Sequence, residues 1–193
     1  MKTATQDLFE EHVVIMQALD IMQEISESLQ RNEPADRNDI LDLLGFLSDY
    51  ADRCHHGKEE DLLIPGILKS RILENNGPIS AILSEHVQGR DYIAKMRKSI
   101  NGESVKVDEF LRSSQEYVSL LRSHIRKENT LLFPLIEARM PMAEQHNLYK
   151  EFMEFEYRQI GYGHHEELHS ILESLEKKYP FRRDSEGTWH GIS

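Results

Sequence analysis

Apolar residues along the chain recur at spacings of three and four, the period of an amphipathic α-helix, and no stretch alternates as a β-strand would. Turn-forming sequences, "RNEPADRND", "ENNGP" and "NGES", divide the pattern into four long segments. The predicted helices cover about residues 6–30, a segment capped by Asp36 or Asn38, residues 79–100, and a segment that ends near Arg139. Four such helices with short connections predict an all-α fold, an antiparallel up-down-up-down four-helix bundle.

Prolines and the C-terminal sequence refine this picture. Pro65-Gly66 is expected to weaken or end the second helix, and Pro134 to kink the fourth. The sequences "MAEQHNLYKEFMEFEYRQI" and "HHEELHSILESLEKKY" predict one or two extra C-terminal helices. The predicted organisation is therefore a bundle over residues 1–140, a helical extension over 141–180 packed on it, and an irregular tail over 181–193.

A histidine stands in the apolar stripe of each long helix, where an apolar residue would be expected. On the second and fourth helices the stripe also carries a glutamate four residues later, and residues four apart share one helix face. The second stripe is expected to include Leu62, and the fourth Leu131. The four histidines are His12, His55, His86 and His124, and the two glutamates are Glu59 and Glu128.

These residues belong to an internal repeat. The sequence "CHHGKEEDLLIP" at 54–65 returns as "SHIRKENTLLFP" at 123–134, with histidine, lysine, glutamate, dileucine and proline in register. Upstream, Glu11-His12-Val13 aligns with Glu85-His86-Val87. The chain thus contains two copies of one unit, a helix with an inward histidine followed by a helix with His-x-x-x-Glu.

Two such units would place four imidazoles and two carboxylates at one level of the bundle core. Buried carboxylates are costly unless they are paired, protonated or bound to metal. Imidazole with carboxylate suits iron, whereas calcium and magnesium prefer oxygen ligands. The repeat predicts a site for two first-row metal ions bridged by two carboxylates, Glu59 and Glu128.

A second pair, His56 and Glu60, has the same spacing but does not align, because Ile125 and Asn129 occupy the matching positions. We therefore interpret Glu60 as a neighbour of the site or a surface group. His56 lies about 100° round the helix from His55. Whether it reaches the neighbouring metal is left open by the pattern.

Composition narrows the function classes. Net charge is −11, with 30% charged residues, which argues against nucleic acid or an anionic membrane as partner. No apolar run approaches the roughly 20 residues that span a bilayer, and the N-terminus lacks the apolar stretch of a signal peptide. A single cysteine excludes an internal disulfide framework. A cytoplasmic protein is expected.

The motifs "EEH", "CHHGKEEDLLIP", "SEHVQGR" and "HIRKENTLLFP" together resemble the hemerythrin-like HHE cation-binding family over roughly residues 5–140. The resemblance implies a non-haem di-iron site in a four-helix bundle. His12 and His55 would hold one iron, His86 and His124 the other, and Glu59 and Glu128 would bridge the pair.

One position departs from the resemblance. Oxygen-carrying hemerythrins have a second histidine one turn after the third-helix histidine, whereas this chain has Arg90. His56 would restore a count of five histidines, but from another helix. The departure puts reversible oxygen carriage in question.

Three functions follow from these observations. The first is a di-iron protein that binds or senses dioxygen, nitric oxide or peroxide, or handles iron. The second is a di-iron enzyme with peroxidase- or catalase-like activity or a role in iron-sulfur repair. The third is a structural site for zinc or another divalent metal, without redox chemistry.

Several residues near the motifs have two readings. Cys54 aligns with Ser123, which favours a small buried residue over a ligand. Lys58 and Lys127 either pair with carboxylates near the site or lie at the helix surface. The histidines of "GHHEELH", His164, His165 and His169, are expected to be surface or gate groups on a capping helix rather than ligands.

Overall fold

The computed structural model describes residues 2–73, 77–101, 106–161 and 163–180. These residues form helices and no strand, which confirms the all-α prediction. Two C-terminal helices follow the long ones, as the sequence allowed. In chain order the α-helices are α1 (Ala4–Gln30), α2 (Arg37–Phe46), α3 (Ile64–Lys69), α4 (Gly77–Ile100), α5 (Val107–Lys127), α6 (Phe133–Arg139), α7 (Met142–Ile160) and α8 (His164–Lys178).

Side-chain caps explain where the first helices begin. The Thr3 hydroxyl accepts a hydrogen bond from the Gln6 backbone, and the Gln6 side chain accepts one from the Thr3 backbone. Asp36 caps α2 by accepting from the backbone N–H of Asn38, which settles the choice between those two residues. The predicted tail lies at residues 181–193, outside the described residues.

The second long helix does not end at Pro65. It continues from α2 through π-helical segments at Leu47–His56 and Glu59–Leu63 into α3, so the expectation that Pro65-Gly66 ends the helix is wrong. In the π-helical turn the Ile64 N–H bonds to the carbonyl of Glu59, five residues back. This widened turn removes the usual clash between the proline ring and the preceding turn.

The fourth long helix repeats this device. A π-helical turn, Glu128–Leu132, joins α5 to α6, and the Phe133 N–H bonds to the carbonyl of Glu128 just before Pro134. Inserted turns of this kind are sites where helices bend. In both halves, therefore, the proline of the repeat lies six residues after a glutamate at which the helix widens.

The π-helical turns also change which leucines of the predicted apolar stripes face the core. Leu131 was expected to face inward but is 68% exposed, whereas Leu132 is 6% exposed. In the other half Leu63 is fully buried and Leu62 only half-buried. A π-helical turn holds more residues than the 3.6 of an α-helix, so the fourth residue after the glutamate, and not the third, returns to its face.

The helices pack side by side as a bundle. Helix α5 lies between α1 and α4, and the first π-helical segment contacts α1, α4 and α7. Helix α7 covers α1, and α8 covers α2. The up-down order of the four long helices stays a prediction. Among the described residues, no helix combines the length and the apolar character needed to cross a bilayer.

Two apolar core clusters fill the bundle. One contains Ile15 and Leu121 and extends to α8; the other contains Leu8 and Leu132 and extends to α6 and α7. Along α1, His12 stands between Leu8 and Ile15, which belong to different clusters. The inward histidines thus form a polar layer between two apolar cores.

Candidate metal centre

All seven side chains predicted as ligands lie together in this polar layer. None is more than 3% exposed, and the four long helices all contribute at least one. Residues in register along neighbouring helices meet here because the repeat places each histidine at the same height of its stripe. The seven are His12, His55, His56, Glu59, His86, His124 and Glu128.

Two glutamates lie between the histidines of the two halves. Glu59 Oε1 is 3.7 Å from His55 Nε2, and its Oε2 is 3.3 Å from His86 Nε2. Glu128 Oε2 is 3.2 Å from the Nε2 atoms of both His12 and His124. Each carboxylate therefore faces one histidine from each of the predicted pairs, the arrangement that a bridging ligand requires.

The donor atoms form two overlapping groups, within each of which all lie within 4.8 Å of one another. Glu59 belongs to both groups. The first has two histidines and two carboxylates, and the second has three histidines and one carboxylate. The groups are His12, His55, Glu59 and Glu128, and His56, Glu59, His86 and His124.

His56 is the residue that makes the groups unequal. Its ring stacks on that of His86, with centroids 4.0 Å apart and planes 14° apart, and it meets the His124 ring edge-on at 5.5 Å. The sequence left its role open, and the structure places it with the second group. Its counterpart in the other half, Ile125, has no donor atom, so the repeat is broken at this position.

Outside the donor atoms, a second layer orients the histidines. The Nδ1–H of His55 donates to Glu11 Oε2 at 2.8 Å, and the Nδ1–H of His124 donates to Glu85 Oε2 at 3.0 Å. Since a carboxylate only accepts, a proton of each ring is assigned to Nδ1, and Nε2 is the atom that a metal would take. Glu11 and Glu85 occupy equivalent positions of the repeat.

For the other two histidines, the partner of Nδ1 comes from a helix that carries His-x-x-x-Glu. His12 Nδ1 is 2.7 Å from Asn129 Oδ1, and His86 Nδ1 is 2.8 Å from Glu60 Oε1. Glu60 and Asn129 are also equivalent positions of the repeat, directly after Glu59 and Glu128. Glu60 is thus a partner of a predicted ligand, in agreement with its interpretation as a neighbour of the site.

Sequence reasoning missed the role of Glu11 and Glu85. The signal was available, because each immediately precedes an inward histidine in both copies of the repeat. A residue next to an inward one faces a neighbouring helix, and here that neighbour carries the other histidine. An acidic residue repeated at this position indicates a hydrogen-bond acceptor for an imidazole.

The two aligned lysines lie in different environments. Lys58 is fully buried and contacts Asp7 at 3.2 Å, Glu11 at 2.5 Å and Glu156 at 2.8 Å. Lys127 pairs with Glu85 but its side chain is 40% exposed. Both lysines therefore pair with the carboxylate that holds a histidine, and only the first is enclosed.

Arg90 also belongs to the outer layer. Its Nε donates to Asp52 Oδ1 at 2.7 Å, and its guanidinium contacts Glu60. Asp52 lies 3.5 Å from His56 Nδ1, and Glu60 holds His86. Arg90 thus supports the partners of His56 and His86 rather than supplying a donor itself.

The inner atoms have a donor set that fits a metal and little else. The Nε2 atoms of His12, His55 and His56 and both carboxylate oxygens of Glu59 and Glu128 are buried without a well-formed hydrogen bond. Buried polar atoms without partners are rare and costly. Imidazole nitrogen with carboxylate oxygen suits first-row transition ions, so the residues present fit a transition-metal cation.

The electrostatics of the inner side chains agrees with the same interpretation. Burial lowers the pKa of His124, but the Glu128 carboxylate outweighs it and raises that pKa to about 10. Burial, with His86 and His124 nearby, holds the pKa of His56 well below its ordinary value. Without a metal, protons must balance the carboxylates; a bound cation would take their place.

A third group of donor atoms, from Glu11, Cys54 and Glu156, lies beside this centre. The Lys58 ammonium contacts both carboxylates, so a cation already occupies the group. Burial raises the pKa of the Cys54 thiol to about 12, which keeps it protonated. Cys54 is 1% exposed, as expected for a small buried residue.

The C-terminal histidines have other partners, and His165 Nε2 lies 3.8 Å from Glu156 Oε1. His164 pairs with Glu167 at 3.0 Å, and the rings of His165 and His169 lie 4.6 Å apart against Tyr50. None of the three joins a metal-binding group among the described residues.

Comparison with known proteins agrees with the geometry. A family model described as the hemerythrin HHE cation binding domain matches residues 3–136, which include both copies of the repeat. Searches of curated proteins and of solved structures gave no significant match. With that match over more than half of its length, the chain belongs to the hemerythrin HHE cation-binding family.

Proposed function

We propose that the polar layer holds two iron ions and that the protein binds or senses a small oxidising or diatomic ligand, namely dioxygen, nitric oxide or peroxide. The observation that supports this most directly is the shared position of Glu59 and Glu128. Each faces histidines of both halves, and none of their oxygens has a hydrogen-bond partner. A pair of bridged cations would satisfy both carboxylates at once.

The residues divide unequally between the two ions. His12 and His55 would hold one ion, and His56, His86 and His124 the other. Glu59 belongs to both groups, and Glu128 would be shared through its approach to His124 at 3.2 Å. The first ion therefore receives one imidazole fewer from the protein. First-row ions at nitrogen and oxygen sites commonly take up to six ligands, so the His12 and His55 side offers more room for a small external ligand.

The protein surroundings would keep water out of the layer and hold its imidazoles in place. Phe133 stacks on His12 with ring centroids 5.3 Å apart, and apolar cores close the layer from two directions. Reduced iron, when bound, supplies the electrons with which such ligands interact. The chain's own contribution is to exclude water and to fix the imidazoles through Glu11, Glu85, Glu60 and Asn129.

Metal analysis of protein purified without oxygen tests this proposal. We expect about two iron ions per chain and a visible absorption change on adding dioxygen or nitric oxide. Reversal of the change on removing the gas supports a binding protein or sensor, whereas rapid peroxide turnover would indicate an enzyme. Zinc without a visible spectrum, or one ion per chain, would refute the proposal.

A further inference from the structure

Helix α7 lies outside the residues that match the family, yet one of its side chains belongs to the network around the centre. Glu156 Oε2 is 2.8 Å from the buried ammonium of Lys58. Lys58 in turn contacts Glu11 Oε1, and Glu11 Oε2 accepts from His55 Nδ1. A continuous series of charged contacts therefore joins α7 to a predicted ligand.

The other half of the repeat has no such cover. There the equivalent lysine, Lys127, is 40% exposed, and its partner Glu85, which holds His124, is 16% exposed. In the first half the corresponding values are 0% for Lys58 and 8% for Glu11. The C-terminal extension thus encloses the outer layer of one half only.

Helix α7 packs closely against the helix that carries Lys58. A Cβ atom added to Gly57 would lie 2.8 Å from the Phe155 ring, so only glycine at this position lets the helix approach so near. Phe152 is fully buried, and its ring centroid is 5.8 Å from the Lys58 ammonium. In the second half Arg126 occupies the position of Gly57, and it is exposed.

We propose that helix α7 is a positioning element of the centre, and that Glu156 sets how firmly the ion at His12 and His55 is retained. The inference rests on the proposed function, since it requires two ions. Glu156 balances part of the Lys58 charge, which leaves Glu11 free to draw the proton of His55 Nδ1 and strengthen its Nε2 donor. Without Glu156, the Lys58 ammonium would attract the Glu11 carboxylate more strongly. The hydrogen bond from His55 Nδ1 to Glu11 would then weaken, and His55 Nε2 would become a poorer metal donor.

Partners of metal-binding histidines typically change metal affinity 10- to 100-fold when mutated. Glu156 acts through Lys58 and Glu11, so we expect the lower end for Glu156→Gln, about 10-fold faster release of one ion. The other ion should leave at the wild-type rate. Glu156→Asp keeps the charge beside a flexible lysine and should restore most of the retention.

The experiment follows release of iron from the full-length, iron-loaded protein to an excess of chelator. Glu85→Gln is the mirror variant and should accelerate the phase that Glu156→Gln leaves unchanged. Glu154→Gln, an exposed position on the same helix, is the matched control and should change neither phase. Denaturant unfolding of the metal-free variants measures any general loss of stability.

Each outcome decides. Equal acceleration of both phases, or no difference between the Glu156 and Glu154 variants, would overturn the inference while two ions in the wild type upheld the proposed function. Failure of Glu156→Asp to rescue would also contradict a charge-based positioning role. Wild-type protein with fewer than two ions would refute the proposed function itself.

Discussion

The internal repeat provides its own control for the energetics of a buried cation. Lys58→Met and Lys127→Met remove equivalent charges from the two halves and keep a similar side-chain length. Lys58 is fully buried among three carboxylates, whereas Lys127 is 40% exposed beside one. The two substitutions should therefore differ greatly in their effect on the free energy of unfolding.

The expected size follows from burial. Removing one partner from a buried ion pair costs about 3–5 kcal/mol, because the remaining charge stays in a poorly solvated place. Losing an exposed pair costs about 0–1 kcal/mol. For a chain of this length 1 kcal/mol shifts the melting temperature by roughly 2–4 °C, so Lys58→Met should lower it by about 6–20 °C and Lys127→Met by at most about 4 °C.

The assay is urea unfolding of the metal-free proteins, which separates charge burial from metal loss.

The dependence of stability on pH supplies a second check. Burial raises the pKa of Glu11, but the hydrogen bond from His55 and the Lys58 charge hold it at about 2. The stability from this lowered pKa is present above about pH 4.5 and is lost as pH falls through 2, so the gap between wild type and Lys58→Met should narrow over that range.

One result would refute the reasoning. If the two lysine variants lost the same free energy of unfolding, within about 1 kcal/mol, burial would not govern the cost of removing these charges. An unchanged urea m-value in both variants is the control, because it shows that the denatured states remain comparable.

Three further predictions concern the centre and its cover. His124→Ala should lower bound metal sharply, whereas His169→Ala should leave it unchanged; elemental analysis of both proteins decides, and equal losses would contradict the assignment. His56→Ile, which copies Ile125, should weaken the binding of one of two ions by at least the roughly 10- to 100-fold that losing a ligand's hydrogen-bond partner costs. Chelator titration measures this affinity, and no change would exclude a ligand role. Gly57→Ala should destabilise the chain despite the roughly 1 kcal/mol gained in helix propensity, because the new Cβ would clash with the Phe155 ring. A raised melting temperature would show instead that α7 shifts to relieve the clash.

The glutamate, π-helical turn and proline that occur in both halves show why a prediction from local sequence failed. Pro65 was expected to interrupt a helix, since its ring clashes with a regular preceding turn. The π-helical turn from Glu59 to Leu63 avoids that clash and keeps the helix continuous into α3. Apolar periodicity assumes 3.6 residues per turn throughout, so it also misplaced Leu131, which lies where the period changes.

The pattern of the sequence alone determined that the chain is helical and that its inward histidines and glutamates share a buried level. That information is local and periodic, and its occurrence in both halves of the repeat supports the prediction twice. The tertiary structure decided what lies opposite each imidazole. Only the packing of separate helices showed that His56 stands with His86, that Glu11 and Glu85 hold the rings, and that α7 buries Lys58 but leaves Lys127 exposed. Contacts between distant segments depend on how the helices face one another, which no spacing along the chain specifies.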